Sequence, residues 1–253
     1  MLIIFLLGFW FLCASMFFNR AAQHFGITLS RSFILFQALL AVTTIFLHAT
    51  LVYSAETAAI FMIAGFFSGF FMEWIGMKTG LIFGRYSYAK NSGPTLWGNV
   101  PLAIPLMWCV ISYMAFSMST LIFDIIGFSD AYGMLIVNAA ILTMLWDFVA
   151  DPLAVAEDGW KWEAPGIYYG IPAHNFAGWF ATALLIFTLF FSIASPTPSS
   201  NVSVFIVSLP ALGYCLMTAI FARACFEREF RLAAAIGFTT TLICFCFWLY
   251  YVL

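Results

Sequence analysis

Apolar residues run through this chain in stretches of about twenty, the length needed to cross the hydrocarbon of a bilayer as a helix. Eight can be counted, approximately Leu2–Phe18, Phe33–Tyr53, Thr57–Met77, Pro101–Phe123, Ala131–Ala150, Ala173–Ile193, Val202–Phe221 and Leu232–Leu253. Backbone groups in hydrocarbon must find partners within their own segment, so these stretches read as helices. Only 8% of the 253 residues are charged, against roughly 25% in a soluble domain, too few to clad a water-facing surface. The expected architecture is therefore all-α: a polytopic transmembrane bundle of about eight spans, forming one integral membrane domain over 1–253. The opening MLIIFLLGFWFLCASMFF lacks a basic n-region, so it reads as the first span and not as a signal peptide. Pro105 and Pro210 fall inside spans and are expected to kink them.

The nine Lys and Arg residues segregate. Arg20 and Arg31 fall in loop one, Lys78, Arg85 and Lys90 in loop three, Lys161 in loop five, and Arg223, Arg228 and Arg231 in or beside loop seven. The even loops and both ends have none. By the positive-inside rule the odd loops are cytoplasmic and both termini lie on the other side. A net charge of −2 without a basic patch gives no sign of a nucleic-acid partner. The six cysteines sit in or beside apolar segments with no CxxC pair, and read as small buried apolar residues.

The two longest loops on the cytoplasmic side, roughly 78–100 and 152–172, are rich in Gly, Pro, Tyr and Trp, and long loops of that kind more often carry function. Polar groups converge there. Glu73 lies about a turn before the end of span three. Asp147 lies about a turn before the end of span five, in LWDFVADP, and Asp151 at its end. As i and i+4, the two aspartates share a helix face. Span six opens IPAHNFAGW, bringing His174 and Asn175 to the same level. Loop three adds Tyr86 and Tyr88, and loop five adds Trp160, Trp162, Tyr168 and Tyr169. Acids near a helix end can simply reach headgroup water, with aromatics as an interfacial belt. Three acids from two helices on one side also mark a functional site, since ionisable residues inside a membrane point to function by default. Close, buried carboxyls can share a proton and hold an acid in its protonated form near neutral pH. Such a group could protonate an alkene, with aromatic faces stabilising the cation and a carboxylate directing a water. The ligand would be a lipid-dissolved polyene or isoprenoid.

Other chemistries fit less well. Membrane di-iron enzymes need many clustered histidines, whereas His24, His48 and His174 lie on separate segments. No GxGxxG follows a strand. Gly65 and Gly69 form a GxxxG that reads most simply as a close helix contact, a dimer face being the alternative. Asp147–Asp151 fits half of the Mg²⁺ site of a membrane prenyltransferase, but no second Asp-rich motif accompanies it. A proton-coupled transporter would carry its acids nearer the midplane.

The blocks EWIGMKTGLIFGRYSY (73–88), VPLAIPLMW (100–108), DFVADPLAV (147–155) and GWKWEAPGIYYGIPAHNFAGW (159–179) resemble the membrane carotenoid biosynthesis proteins of the bisanhydrobacterioruberin hydratase and γ-carotene 1′-hydratase type. The resemblance is best over about 65–180, the site-bearing part. It implies addition of water to the terminal C1=C2 bond of an acyclic carotenoid end group, by a hydro-lyase with no cofactor and no metal. Related membrane cyclases protonate the same end group and close a ring instead, and a non-enzymatic carotenoid-binding or transport protein is a further alternative. The implied partners are a lipid-dissolved carotenoid and the membrane, with room for a homo-oligomer or contact with other carotenoid enzymes. A prokaryotic cytoplasmic membrane is the implied location. Combined with the convergence above, this gives Asp147, Asp151 and Glu73 as the catalytic candidates. Tyr86, Tyr88, Trp162, Tyr168, Tyr169, His174 and Asn175 are the candidate substrate-binding residues. Lys78 and Arg85 read as interface anchors.

Overall fold

The computed structural model describes residues 1–24, 31–89 and 92–253. Among them are eight α-helices: α1 (Leu2–His24), α2 (Arg31–Val52), α3 (Ala55–Thr79), α4 (Ala103–Ile125), α5 (Tyr132–Ala156), α6 (Ala173–Ile193), α7 (Val204–Glu227) and α8 (Arg231–Val252). Seven are long and apolar enough to cross a membrane. In α1 the apolar part among the described residues is Leu2–Ser15. The expected all-α bundle is what the chain forms. Helix α4 is the most buried and packs against α2, α3, α5, α7 and α8.

Small residues set how closely these helices approach. On α3, a Cβ added at Gly65 would lie 3.2 Å from the Cα of Cys109, and one at Gly69 would lie 2.6 Å from the indole ring of Trp108. The GxxxG is thus the seat of α4 on α3, a contact within one chain. Four of the cysteines are buried, while Cys13 is half-buried and Cys246 exposed, and none is in a disulfide.

The connections α3–α4, α5–α6 and α7–α8 meet at one end of the bundle. Two short strands, β1 (Tyr86–Tyr88) and β2 (Trp160–Trp162), pair antiparallel with Tyr86 opposite Trp162 and Tyr88 opposite Trp160. They tie the α3–α4 and α5–α6 connections into one cover, which hydrophobic periodicity did not suggest. Arg228 bonds Glu157 at 3.0 Å, bringing the α7–α8 turn to the same end. At the other end Ser199 N–H donates to the Val52 carbonyl at 2.7 Å. The α1–α2 connection (25–30) and Lys90 lie outside the described residues. Lys78 sits over the ring of Trp74, 4.2 Å from its centroid, an aromatic anchorage suited to a membrane boundary.

The prolines correct two expectations. Pro105 occupies the first turn of α4, where its missing N–H would have had no helical partner, so it requires no kink. Helix α5 does not stop near residue 150 but runs through Pro152 to Ala156. An internal proline strands the carbonyl four residues earlier. For Pro152 this is the Phe148 carbonyl, and the Tyr168 hydroxyl donates to it at 2.8 Å. For Pro210, inside α7, it is the Ile206 carbonyl, 2.9 Å from His48 Nε2. A carbonyl only accepts, so His48 carries its hydrogen on Nε2, and Nδ1 accepts from the Tyr113 hydroxyl at 2.7 Å. Each break in a helix ladder is closed by a side chain from another segment.

Candidate active site

Because α5 continues to Ala156, Asp147 lies nine residues before its end and Asp151 five, about 14 Å and 8 Å along the axis at 1.5 Å per residue. Both are deeper than expected. Glu73 lies six residues before the end of α3. All three are buried, with relative exposures of 4% for Glu73, 0% for Asp147 and 2% for Asp151. Neither described salt bridge involves them. Three carboxyls in so apolar a setting need hydrogen bonds in place of a counter-charge.

Those bonds come from neutral donors on three different segments. Tyr86 and Tyr88, alternate residues of β1, both donate to Glu73 Oε2, Tyr88 at 2.8 Å. The Trp108 indole N–H donates to Oε1 at 3.2 Å; Gly69 gives that indole the room to lie over α3, one turn from Glu73. Burial, and then the adjoining Glu73, push both phenols well above the usual tyrosine range, so they remain donors at any ordinary pH. At the first turn of α6, Asn175 donates one amide hydrogen to Asp147 Oδ2 and the other to Asp151 Oδ2, each at 2.8 Å. The two oxygens therefore lie no further apart than twice that distance. Glu73 with its three donors and the aspartates with Asn175 thus form two hydrogen-bonded groups near the same end of the bundle, together the candidate cluster.

A chain of aromatic rings leads away from Glu73. The tilted rings of Trp108 and Trp179 have centroids 4.2 Å apart, Trp179 lies 6.0 Å from Trp146, and Trp146 lies 5.4 Å from Phe221. Trp162 packs 5.8 Å from Tyr86 and donates to the Phe83 carbonyl at 2.7 Å, which fixes the cover. Phe221 lines a cavity of about 320 Å³ between α1, α2, α4 and α7, bordered by Phe5, Met107, Val110 and Met114. The carboxyls do not line this space, but it is apolar and one aromatic layer away from Trp146.

The expected residues divide. Glu73, Asp147, Asp151, Asn175, Tyr86 and Tyr88 are brought together, with Trp162 behind Tyr86. Tyr168 is committed to the Phe148 carbonyl and packs edge-on against Phe148 and Phe176. Tyr169 turns to the start of α8, where its hydroxyl accepts from Leu232 N–H at 3.1 Å and its ring packs on Phe230. His174 is exposed and stands next to Gly84, not among the carboxyls. The rings of Trp108, Trp146 and Trp179 did not stand out in the sequence as site residues. Trp146, directly before Asp147 in LWDF, carried a local signal; Trp108 and Trp179 did not, because they stand on helices without a site carboxyl. Among the described residues no group of three or more His, Cys, Asp or Glu is placed to share a metal ion.

Residues 33–244 match the family described as carotenoid biosynthesis protein. The chain belongs to this family. All the carboxyls, their donors and helices α3 to α7 fall inside the match, whereas α1 falls outside it. Over 119 residues the chain is 33% identical to bisanhydrobacterioruberin hydratase of Haloarcula japonica, covering 47% of this chain and 40% of that protein. The aligned part is thus well under half of the relative's length. No solved structure matches the chain.

Proposed function

We propose that this family member is a carotenoid hydratase, adding water across the terminal C1=C2 bond of an acyclic carotenoid end group. The observation that carries the reading is the buried trio Glu73, Asp147 and Asp151, held by neutral donors within an apolar helical bundle. A proton from the aspartate pair goes to C2 of the alkene. The tertiary cation left at C1 faces the π-clouds of Trp108, Trp146 and Trp179, which attract positive charge. Glu73 orients the water that captures it, and Tyr86 and Tyr88 hold Glu73 in place. Hydration leaves the overall oxidation state of the substrate unchanged, so the step needs no redox cofactor.

The activity for which the Haloarcula japonica relative is named supports the hydratase reading. The distribution of Lys and Arg supports placing the covered end in the cytoplasm, of a prokaryotic cell membrane, where water meets the site. The substrate would arrive laterally, dissolved in the bilayer, and the apolar cavity beside Phe221 offers room for part of a long chain.

The test is expression in a bacterium that makes lycopene or γ-carotene, with mass spectrometry of the extracted pigments. A pigment heavier by one water is expected. An isomer of unchanged mass and shifted absorption would replace hydration with cyclisation, and unaltered pigment bound to folded protein would leave a binding role. Glu73→Gln should lower turnover by about 10²–10⁴-fold, the usual worth of a group that manages a proton.

A further inference from the structure

The hydrogen bonds of the cluster are unequally shared, and the inequality distinguishes the three carboxyls. Glu73 receives three donors, from Tyr86, Tyr88 and Trp108. Asp151 receives the Asn175 amide on Oδ2, and its other oxygen is not among the fully buried atoms left without a partner. Among the described residues Asp147 receives the Asn175 amide alone, also on Oδ2. Its other oxygen, Oδ1, is fully buried and has no hydrogen-bond partner. A buried carboxylate is stabilised by converging donors, and the more it has the better the anion is tolerated. An oxygen with no donor and no acceptor suits the O–H of a neutral acid whose acceptor is not part of the protein.

Resting on the hydration reading, we infer that Asp147 is the catalytic acid and delivers its proton from Oδ1, that Glu73 is the anion that receives a proton from water, and that Asn175 is a positioning residue. Asn175 spends both amide hydrogens on the Oδ2 atoms of the two aspartates, which leaves Asp147 Oδ1 without a donor. Asp151, one turn nearer the loop end, is the second anchor for that amide. In the forward step the O–H bond of Asp147 breaks as a C–H bond forms at C2, the alkene supplying the electron pair. Water adds to the cation at C1 and passes its surplus proton to Glu73. Return of a proton from Glu73 to Asp147 through water resets the cluster, and the sum is one water added to one alkene.

The experiment uses the full chain in lipid vesicles containing lycopene, assayed in D₂O for hydrated product and for deuterium at C2. Asp147→Asn should lose turnover by about 10³-fold or more, whereas Asp151→Asn, an equal change of charge one turn away, should lose no more than about tenfold. Asn175→Ala should lower kcat with little effect on KM and move the alkaline limb of the pH–rate profile, which a purely structural defect would not. Thermal unfolding of each variant in detergent separates loss of fold from loss of chemistry; where Asp147→Asn fails to fold, Asn175→Ala carries the test through its pH profile. Equal losses in folded Asp147→Asn and Asp151→Asn would overturn the assignment and make the pair a single proton-sharing unit, and so would a larger loss in Asp151→Asn. Absence of hydrated product from the parent chain would instead overturn the hydration reading, and the assignment with it.

Discussion

Tyr168→Phe removes one oxygen, and its cost follows from the proline it serves. In an unbroken α5 the N–H of residue 152 would bond the Phe148 carbonyl. Pro152 has no N–H, and the Tyr168 hydroxyl supplies the donor at 2.8 Å. Leaving a buried carbonyl without a partner costs about 1–3 kcal/mol. Tyr168 is only half-buried and water can reach a membrane boundary, so a loss near the lower end, about 1–1.5 kcal/mol, is expected. The decisive version is a double-mutant cycle with Pro152→Ala, which restores a backbone donor to the same carbonyl. In that background Tyr168→Phe should cost about 0.5 kcal/mol or less, giving a coupling of about 1 kcal/mol. Reversible unfolding in detergent micelles, followed by helical circular dichroism, measures all four corners. Additive effects, with the tyrosine substitution equally costly in both backgrounds, would refute the account of how α5 survives its proline. Because Phe148 follows Asp147 directly, Tyr168→Phe should also lower hydration, and Pro152→Ala should recover part of it.

The same logic predicts that His48→Leu destabilises by about 1–3 kcal/mol by stranding the Ile206 carbonyl, and less in a Pro210→Ala background. Gly69→Ala should reverse the usual sign of a helical Gly→Ala change: propensity alone favours Ala by about 1 kcal/mol, but a Cβ 2.6 Å from the Trp108 ring should destabilise by about 1–3 kcal/mol. Displacing Trp108 from Glu73 should also reduce product formation; a more stable, fully active variant would contradict the packing. Tyr86 and Tyr88 are held protonated by burial and then by Glu73, while in an unfolded chain they ionise near pH 10. Their contribution to stability is therefore complete below about pH 10 and lost as pH rises beyond it. Tyr86→Phe should flatten that alkaline decline in unfolding experiments, and ultraviolet titration should show fewer phenols ionising in the folded parent than in the denatured chain, these two among those that are missing.

Much of the architecture could be read from the chain because hydrocarbon leaves little choice. Some twenty apolar residues in a bilayer must form a helix, since no water is present to satisfy an open backbone, and eight such runs with sparse charge dictate a helical bundle. The same physics singled out Glu73, Asp147 and Asp151, because a carboxyl in so apolar a segment is too costly to be incidental, and i, i+4 spacing put the aspartates on one face. Tertiary structure decided what those carboxyls touch. The β1–β2 pairing, which carries Tyr86 and Tyr88 onto Glu73, joins residues more than seventy positions apart through backbone hydrogen bonds with no periodic signature. Asn175 reaches both aspartates, and Trp108 reaches Glu73, only because α6 and α4 pack at particular heights, set by small residues such as Gly69 and Gly178. Tyr169 and His174 lie within a few positions of Asn175 in the chain, yet the turn sends one to α8 and leaves the other exposed. Nor does the chain alone show that α5 passes through Pro152, since the hydroxyl that closes the gap comes from a separate loop. Local patterns record what a segment needs, a buried face or a partner for a polar atom, and only the packed fold determines which residue supplies it.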